Sequence, residues 1–518
     1  MPTFIDELLK PGAYPHPVEA VRLIETHISW VLLTGPFAYK IKKPVDFGFL
    51  DFSTLEKRKS CCEAELELNR RFAAELYLDV VAITRTRSGA CVAGDGATID
   101  YAVKMRQFPD DAQMDERLRA DRVTADDIAH FAEDLARVHA QLPKASHDAE
   151  FGTPALVWAP VEENFEQIAG TPFARTRAAD LGEIGAWSRA RHRALEMHFE
   201  ARHANGFVRE CHGDLHLSNL VWLAGRAVAF DCIEFNARLR WIDVVSDAAF
   251  LAMDLDTRGR ADLAHVFLDR YFEQSGDYDG ARALDFYLGY RTMVRAKVAA
   301  LRARGAPEIG GDDDPARAEA RRFALHVDYA LGLARSKRPL LMLMCGVSGS
   351  GKSWLAERLV PRLPAIRVRS DVERKRLHGL APAARAAAAP QQGLYADAVT
   401  DATYARLAQC ADALLEGGVD ALVDATFLSA PRRAQFRALA ERAGARFCVL
   451  HCSAPESVLL ERVRARRRAA RDPSDADETI LRAQLATGID LTPSDHVLTV
   501  DTSREIDWPA LLAAIAAH

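Results

Sequence analysis

At 518 residues the chain has room for about three compact units, and 49% hydrophobic with 27% charged residues supplies ample core for a globular protein. A net charge of −6 argues against a surface coated in phosphate-neutralising Lys and Arg, so nucleic acid is not an expected partner. No apolar run approaches the roughly 20 residues of a bilayer span and no signal-peptide apolar region opens the chain, so the expected compartment is the cytoplasm, with no membrane partner.

Residues 18–26, VEAVRLIET, predict a short helix. HISWVLL and FAYKIKK follow as two strands joined by a tight turn at Thr34-Gly35-Pro36. Lys40 and Lys42 share a face of the second strand, because side chains alternate with period two. Many kinases hold the α- and β-phosphates with a lysine so placed; the alternative is a lysine-rich, solvated edge strand. From about Ser53 to Leu76 the pattern turns helical and offers Glu63, Glu65 and Glu67 as partners for the lysine. VVAITRT and TIDYAVKMRQF complete a small β-rich lobe. Thr124 caps an amphipathic helix over 124–142, and helical pattern over 160–205 leads into ECHGDLHLSNLVWLAGRAVAFDCIEF, Glu210 to Phe235. Helices are predicted at 242–255, 260–274 and 279–304, then an acidic Gly/Pro loop at 305–315 and a helix to about Arg335. A domain boundary is expected within 335–339. Beyond it, strands at LLMLMCG, 366–369, 419–424, 446–451 and 496–500 alternate with helices, which predicts a parallel sheet covered on both faces. Residues 380–392 are low in complexity and read as a mobile connection.

Two stretches carry the chemistry. In the first, Asp214, Asn219 and Asp231 are an acid, an amide and a second acid at a spacing that suits phosphoryl transfer. One carboxylate can accept a hydroxyl proton while the amide and the other carboxylate hold Mg²⁺ on nucleotide phosphates. His212 and His216 stand four apart, but beside this set His212 reads as a structural loop residue and zinc is set aside. The second stretch, Gly346-Val-Ser-Gly349-Ser-Gly351-Lys352-Ser353, has the full GxxxxGK[ST] form between an apolar strand and a helix. Its backbone N–H groups close around phosphates at the positive helix end, Lys352 reaches the β- and γ-phosphates, and Ser353 ligands Mg²⁺. Asp371 is expected to end the second strand of this region, as acceptor base, with Arg374 binding acceptor or phosphate; an ordinary helix cap is the alternative. Asp424 is placed to act on Mg²⁺ through water. Arg462 and Arg466, in RVRARRRAAR, fit a lid that neutralises the transferring phosphate better than a solvated helix face or a nucleic-acid contact. The nine cysteines include no CxxC pair and signal neither a disulfide framework nor a tetrahedral zinc site. Cys448 and Cys452 flank His451 on a strand-like run, where small buried hydrophobes are the expected role.

On the phosphate loop, the D-x-x-R of Asp371 and Arg374, and the arginine-rich lid, residues 338–518 resemble the P-loop kinases related to gluconate kinase, bacteriophage polynucleotide kinase and zeta-type toxins. Residues of about 20–335 resemble the aminoglycoside phosphotransferase superfamily, through His212-Gly-Asp214-Leu-x-x-Ser-Asn219, Phe230-Asp231 and Phe37-Ala-Tyr-Lys40. That resemblance implies Asp214 as base, Asn219 and Asp231 as metal ligands, Lys40 rather than Lys42 as the nucleotide lysine, Glu65 as its helix partner, and Asp247 as the acid bracing the catalytic loop. No GxGxxG stands above the phosphates, and no acidic acceptor-binding segment is recognisable, so aminoglycosides as substrates do not follow.

Together the resemblances imply a bacterial fusion: an α+β protein-kinase-like two-lobed domain over 1–335 (small lobe about 1–108, large lobe about 109–335), then an α/β P-loop NTPase domain over 338–518. The activity they imply is ATP- and Mg²⁺-dependent transfer of phosphate to the hydroxyl of a small molecule at two sites. Two alternatives stand beside it, a catalytic half joined to a nucleotide-sensing half, and a nucleic-acid end kinase in the P-loop half. The resemblances name neither the acceptor nor an oligomeric state.

Overall fold

The computed structural model describes residues 3–48, 50–87, 89–305, 315–335, 338–380, 397–469 and 478–518. The chain packs as two compact units, one of Met1–Phe131, Val138–Val157 and Phe199–Leu251, the other of Ala132–Arg137, Trp158–His198 and Ala252–His518. Nearly all of the loop expected at 305–315, and all but the first residue of the low-complexity stretch at 380–392, lie outside the described residues.

In the first unit, strands β1 (Arg22–Glu25), β2 (Ser29–Leu33), β3 (Phe37–Lys42), β4 (Tyr77–Thr86), β5 (Gly89–Val92) and β6 (Ala97–Arg106) form an antiparallel sheet in the order β1-β2-β3-β6-β4-β5. The β2–β3 turn closes with Thr34 N–H donating to Phe37 O at 2.9 Å, and Gly35 takes φ 97°, a left-handed value that favours glycine. One sheet face buries Trp30, Leu32, Tyr39, Ile41 and Ile83 against Ile5 and Leu8. The other face supplies Val103 and Met105, and Cys62 of helix Leu55–Ala73 packs there. The expected helix at 18–26 is instead strand β1, Arg22 to Glu25, paired antiparallel with β2. Its apolar spacing fits a helix, but the open edge of β2 offers the segment a ladder of backbone hydrogen bonds, and tertiary pairing outweighs local propensity. The rest of this unit carries two short antiparallel pairs. Strand β7 (Val208–Glu210) pairs with β10 (Trp241–Asp243), and β8 (Leu220–Leu223) with β9 (Arg226–Ala229).

In the second unit, β11 (Leu340–Cys345), β12 (Ala365–Arg369), β13 (Asp420–Asp424), β14 (Arg446–Ser453) and β15 (Val497–Asp501) form an all-parallel sheet in the order β12-β13-β11-β14-β15. Every residue of central β11 is buried, as a strand covered on both faces requires. Met342, Met344, Leu422 and Leu450 meet Leu355 and Leu359 of helix Lys352–Leu359 in its core. A separate core of Ile168, Met293, Ala296, Phe323 and Val327 joins the helices Pro154–Ala169, Leu284–Gly305 and Pro315–Ala334. The boundary expected at 335–339 therefore falls inside this unit, since helix Ala261–Ser275 and the turn Tyr278–Ala283 pack on the parallel sheet and on helix Asp397–Glu416.

His326 lies in the helical core, with Nδ1 3.1 Å from Thr292 Oγ1. Burial, aided by the Arg295 charge, pushes its pKa down to about 4. The folded value lies below the unfolded one, so between pH 6.5 and about 4 the unfolded chain takes a proton that the folded chain refuses, and stability falls as the pH drops. Urea unfolding at pH 7.5 and pH 4.5 is expected to show His326→Gln losing less stability on acidification than the wild type, by a few kcal/mol at about 1.4 kcal/mol per pKa unit. Parallel losses in the two proteins would remove His326 from the acid response.

Candidate active sites

The first unit brings Lys40, Asp214 and Asp231 to one cavity of about 530 Å³. Val31, Leu33, Ala38, Met105, Phe108 and Phe230 give it apolar walls, the lining that a flat heterocycle needs. Lys40 projects from β3 and its ammonium meets Glu65 at 2.8 Å, with a further ion pair to Asp231. Burial alone would lower the lysine pKa, but Asp231, Glu65 and Glu234 outweigh it and hold the value well above 10.5. Glu65 is reached because Thr54 caps helix Leu55–Ala73, its side chain accepting from Lys57 N–H, and the helix, packed on β6 and β4, holds Glu65 fully buried within reach of Lys40. Asp231 stands at φ 64°, and its N–H donates to Tyr77 Oη at 3.1 Å.

The catalytic loop leaves β7 and is fixed from below. Asp247 accepts from the N–H groups of His212 at 3.0 Å and Gly213 at 2.9 Å. It also lies 3.3 Å from His139 Nε2, and His139, Cys211 and Asp247 are close enough together to suggest a metal. The two backbone donors and the imidazole already engage that carboxylate, so bracing the loop is its better reading. His212 is buried, which pushes its pKa below 6.5. Its Nε2–H donates to Phe230 O at 2.8 Å, and its Nδ1 accepts from Asp214 N–H at 3.3 Å. Both ring nitrogens are thus used, and a zinc ligand role is excluded by occupancy. Asn219 Nδ2 donates to the carbonyl of Asp214 at 2.9 Å and to its carboxylate at 3.0 Å. Those bonds use the amide nitrogen, so the amide oxygen is the atom suited to a hard cation.

Lys42 shares the face of Lys40, and in the structure it has a separate task. It is fully buried and paired with the second oxygen of Glu65 and with Glu234. Burial raises the pKa of Glu234, and Lys42 opposes that rise. Sequence reasoning missed Glu234, although its place three residues after Asp231 was visible. Removing one member of a buried ion pair strands the other. Lys42→Met is therefore expected to destabilise the protein by about 3–5 kcal/mol, and adding Glu234→Leu to restore most of that loss in chemical denaturation. A double variant as unstable as the single one would show that the two do not act as a pair.

In the second unit a cavity of about 450 Å³ gathers Gly349, Gly351, Lys352, Ser353, Asp371, Arg374, Asp424 and Arg462. Gly346, Gly349 and Gly351 all take positive φ. At Gly351, which caps helix Lys352–Leu359, a Cβ would sit 2.9 Å from Thr502 Oγ1, so only glycine fits the cradle. Lys352 Nζ donates to Val347 O at 2.8 Å, folding back over its own loop. Arg462 donates to Thr502 O at 2.7 Å, to Thr502 Oγ1 at 2.9 Å and to Gly349 O at 3.3 Å, which fastens helix Glu456–Ala469 to the loop. Arg466 is on the same helix, but its side chain lies outside the described residues. Asp371 is not at the strand end: β12 stops at Arg369, and Asp371 occupies the first turn of helix Ser370–Leu377, 3.3 Å from Arg374. The strand ends where the apolar run at 366–369 ends, and the polar run Ser370-Asp371-Val-Glu-Arg374-Lys375 goes directly into helix, which takes Asp371 off the strand. Asp424 is the last residue of β13. Two lining residues carry no sequence signal: Gln484, whose Oε1 accepts from Ser348 N–H at 2.8 Å, and Arg369.

Both donor sets suit Mg²⁺·ATP: hard carboxylate, amide and hydroxyl oxygens for the cation, lysines for phosphate, and a glycine cradle that any Cβ would fill.

Two family models match the chain. The Phosphotransferase enzyme family matches residues 59–284, a stretch holding Glu65, Asp214, Asn219 and Asp231 but starting after Lys40. An AAA domain matches residues 341–488, from β11 past Gln484. The uncharacterized protein Rv2004c of Mycobacterium tuberculosis is 32% identical over 486 residues, covering 92% of each chain, and so is the uncharacterized protein Mb2027c of Mycobacterium bovis. Among solved structures, a choline/ethanolamine kinase family protein from Mesorhizobium loti is 12% identical with TM-score 0.36, covering 64% of this chain and 99% of that one. The APS kinase of Mycobacterium tuberculosis is 21% identical with TM-score 0.25, covering 35% of this chain and 99% of that one.

Proposed function

This chain belongs to the same family as those mycobacterial proteins and is a phosphotransferase enzyme; from that premise we propose that it carries two independent kinase sites. Each uses ATP and Mg²⁺ to phosphorylate a hydroxyl group of a small molecule (sugar, amino sugar, nucleoside-like or aminoglycoside-like), and the enzyme works in the cytoplasm. We divide the chemistry at 335–338, whatever the packing units. The observation that carries the reading is the convergence of Lys40, Asp214 and Asp231 on one apolar-walled cavity, with a second lysine, two acids and a glycine cradle on another.

Mg²⁺·ATP supplies the phosphoryl group and neutralises charge as it transfers. The protein's own residues do the rest. At the first site Asp214 accepts the hydroxyl proton, and Asn219, bonded to its carboxylate, sets the direction in which it does so. Asn219 and Asp231 would hold the metal, and Lys40, kept fully charged by its carboxylate neighbours, would hold the phosphates. At the second site Lys352 and the loop N–H groups would hold phosphate, Ser353 and Asp424 the metal, and Asp371 would take the proton beside Arg374. Transfer of label from γ-³²P-ATP to a panel of sugars, amino sugars, nucleosides and aminoglycosides tests the reading. It is abandoned if no panel member is labelled and no ATP is consumed.

A further inference from the structure

Strand β12 is an edge of the parallel sheet, so it has no neighbouring strand on its outer side. Side chains from earlier in the chain take that place. Asp269, on helix Ala261–Ser275, accepts from Arg367 N–H at 2.8 Å, and Tyr278 Oη donates to Arg367 O at 3.2 Å. Charge follows the same path. The buried Arg367 guanidinium lies 3.6 Å from Asp269 and 3.3 Å from Glu273. Two residues on, and so on the same strand face, Arg369 lies 3.3 Å from Glu273. Arg376, on the helix that follows β12, donates to Glu273 O at 2.6 Å. The fit is close elsewhere too, since a Cβ on Gly417 would sit 2.0 Å from Ala281 O.

Arg369 also lines the phosphate-loop cavity, next to Ser370, Asp371 and Arg374. One residue thus belongs to the lining of that cavity and, through its guanidinium, pairs with an acid from the region preceding 335. We propose that the P-loop site is composite: Arg369 binds an anionic group there, and Glu273 is the positioning residue that aims it. The inference rests on reading this cavity as a nucleotide site. The anion could be the terminal phosphate of the nucleotide or an anionic group on the acceptor, and the test separates the two.

The full-length chain is titrated with Mg²⁺·AMP-PNP, and the saturated protein is then titrated with inorganic phosphate. Lys352→Ala is the control for the site: if it leaves AMP-PNP binding at both sites intact, the P-loop reading itself fails. Arg369→Gln and Glu273→Gln are each expected to weaken one of the two titrations about tenfold or more, the usual consequence of losing a charged hydrogen bond. A loss confined to phosphate places the anion on the acceptor, and a loss in AMP-PNP places it on the nucleotide. Arg369→Lys should recover part of the affinity. A merely structural Glu273 would lower the melting temperature and leave both titrations unchanged well below it. Unchanged titrations, with the Lys352 control positive, overturn the proposal.

Discussion

Asp214→Asn is expected to cut turnover at the first site by about 10²–10⁴, the usual contribution of a general base, while leaving Mg²⁺·ATP affinity within about twofold. The variant keeps an oxygen for Asn219 Nδ2, which now bonds the carboxylate at 3.0 Å, so the loop geometry survives. Asp247 and the backbone N–H groups of His212 and Gly213 hold the loop independently of Asp214. What is removed is the carboxylate charge and, with it, the capacity to take a proton. The split between turnover and affinity is the informative result, because a misfolded loop would damage both. The measurement belongs in a Lys352→Ala background, where the second site is silent. Turnover within tenfold of the parent would show that another group takes the proton.

Lys352→Ala should remove the other activity with similar force. Its ammonium is the charge that the glycine cradle is built to present, and removing one preorganised donor of transition-state charge costs about 10²–10³ in rate. Its present bond to Val347 O is a loop contact that alanine can forgo without exposing a buried charge, so folding should hold. Joined in one chain, Asp214→Asn and Lys352→Ala are expected to remove both activities, each by the factor its single variant shows, as independent sites do. Transfer at full strength in the double variant would end the two-site reading, and loss of both activities from either single change would show that the sites are not independent.

What could be read beforehand was what is local. The phosphate loop and the catalytic loop are runs of under ten residues whose spacing is itself the geometry, and the strand–helix alternation after 340 follows from buried apolar runs. The shared face of Lys40 and Lys42 followed from strand periodicity, but their tasks did not. Lys42 meets Glu234 across 192 residues, and nothing in either neighbourhood announces the other. Strand β1 was misread because its partner, not its composition, decides its state. Asp269 and Glu273 look like ordinary acids on an apolar helix, and only the open edge of β12 gives them a purpose. Arg369 was overlooked for the same reason, since a terminal strand arginine is usually solvated.

The cover on β12 has a consequence for how the protein is made. Helix Ala261–Ser275 precedes the strand by about 90 residues, which at about 5–20 residues per second is roughly 5–20 s of translation. An unpaired strand edge is a template for association with other chains. Here the acids and the tyrosine that occupy that edge leave the ribosome first, so the strand emerges to find its cap already synthesised. The order of the two halves in the gene thus protects the nascent chain at this strand edge, and the reverse order would not.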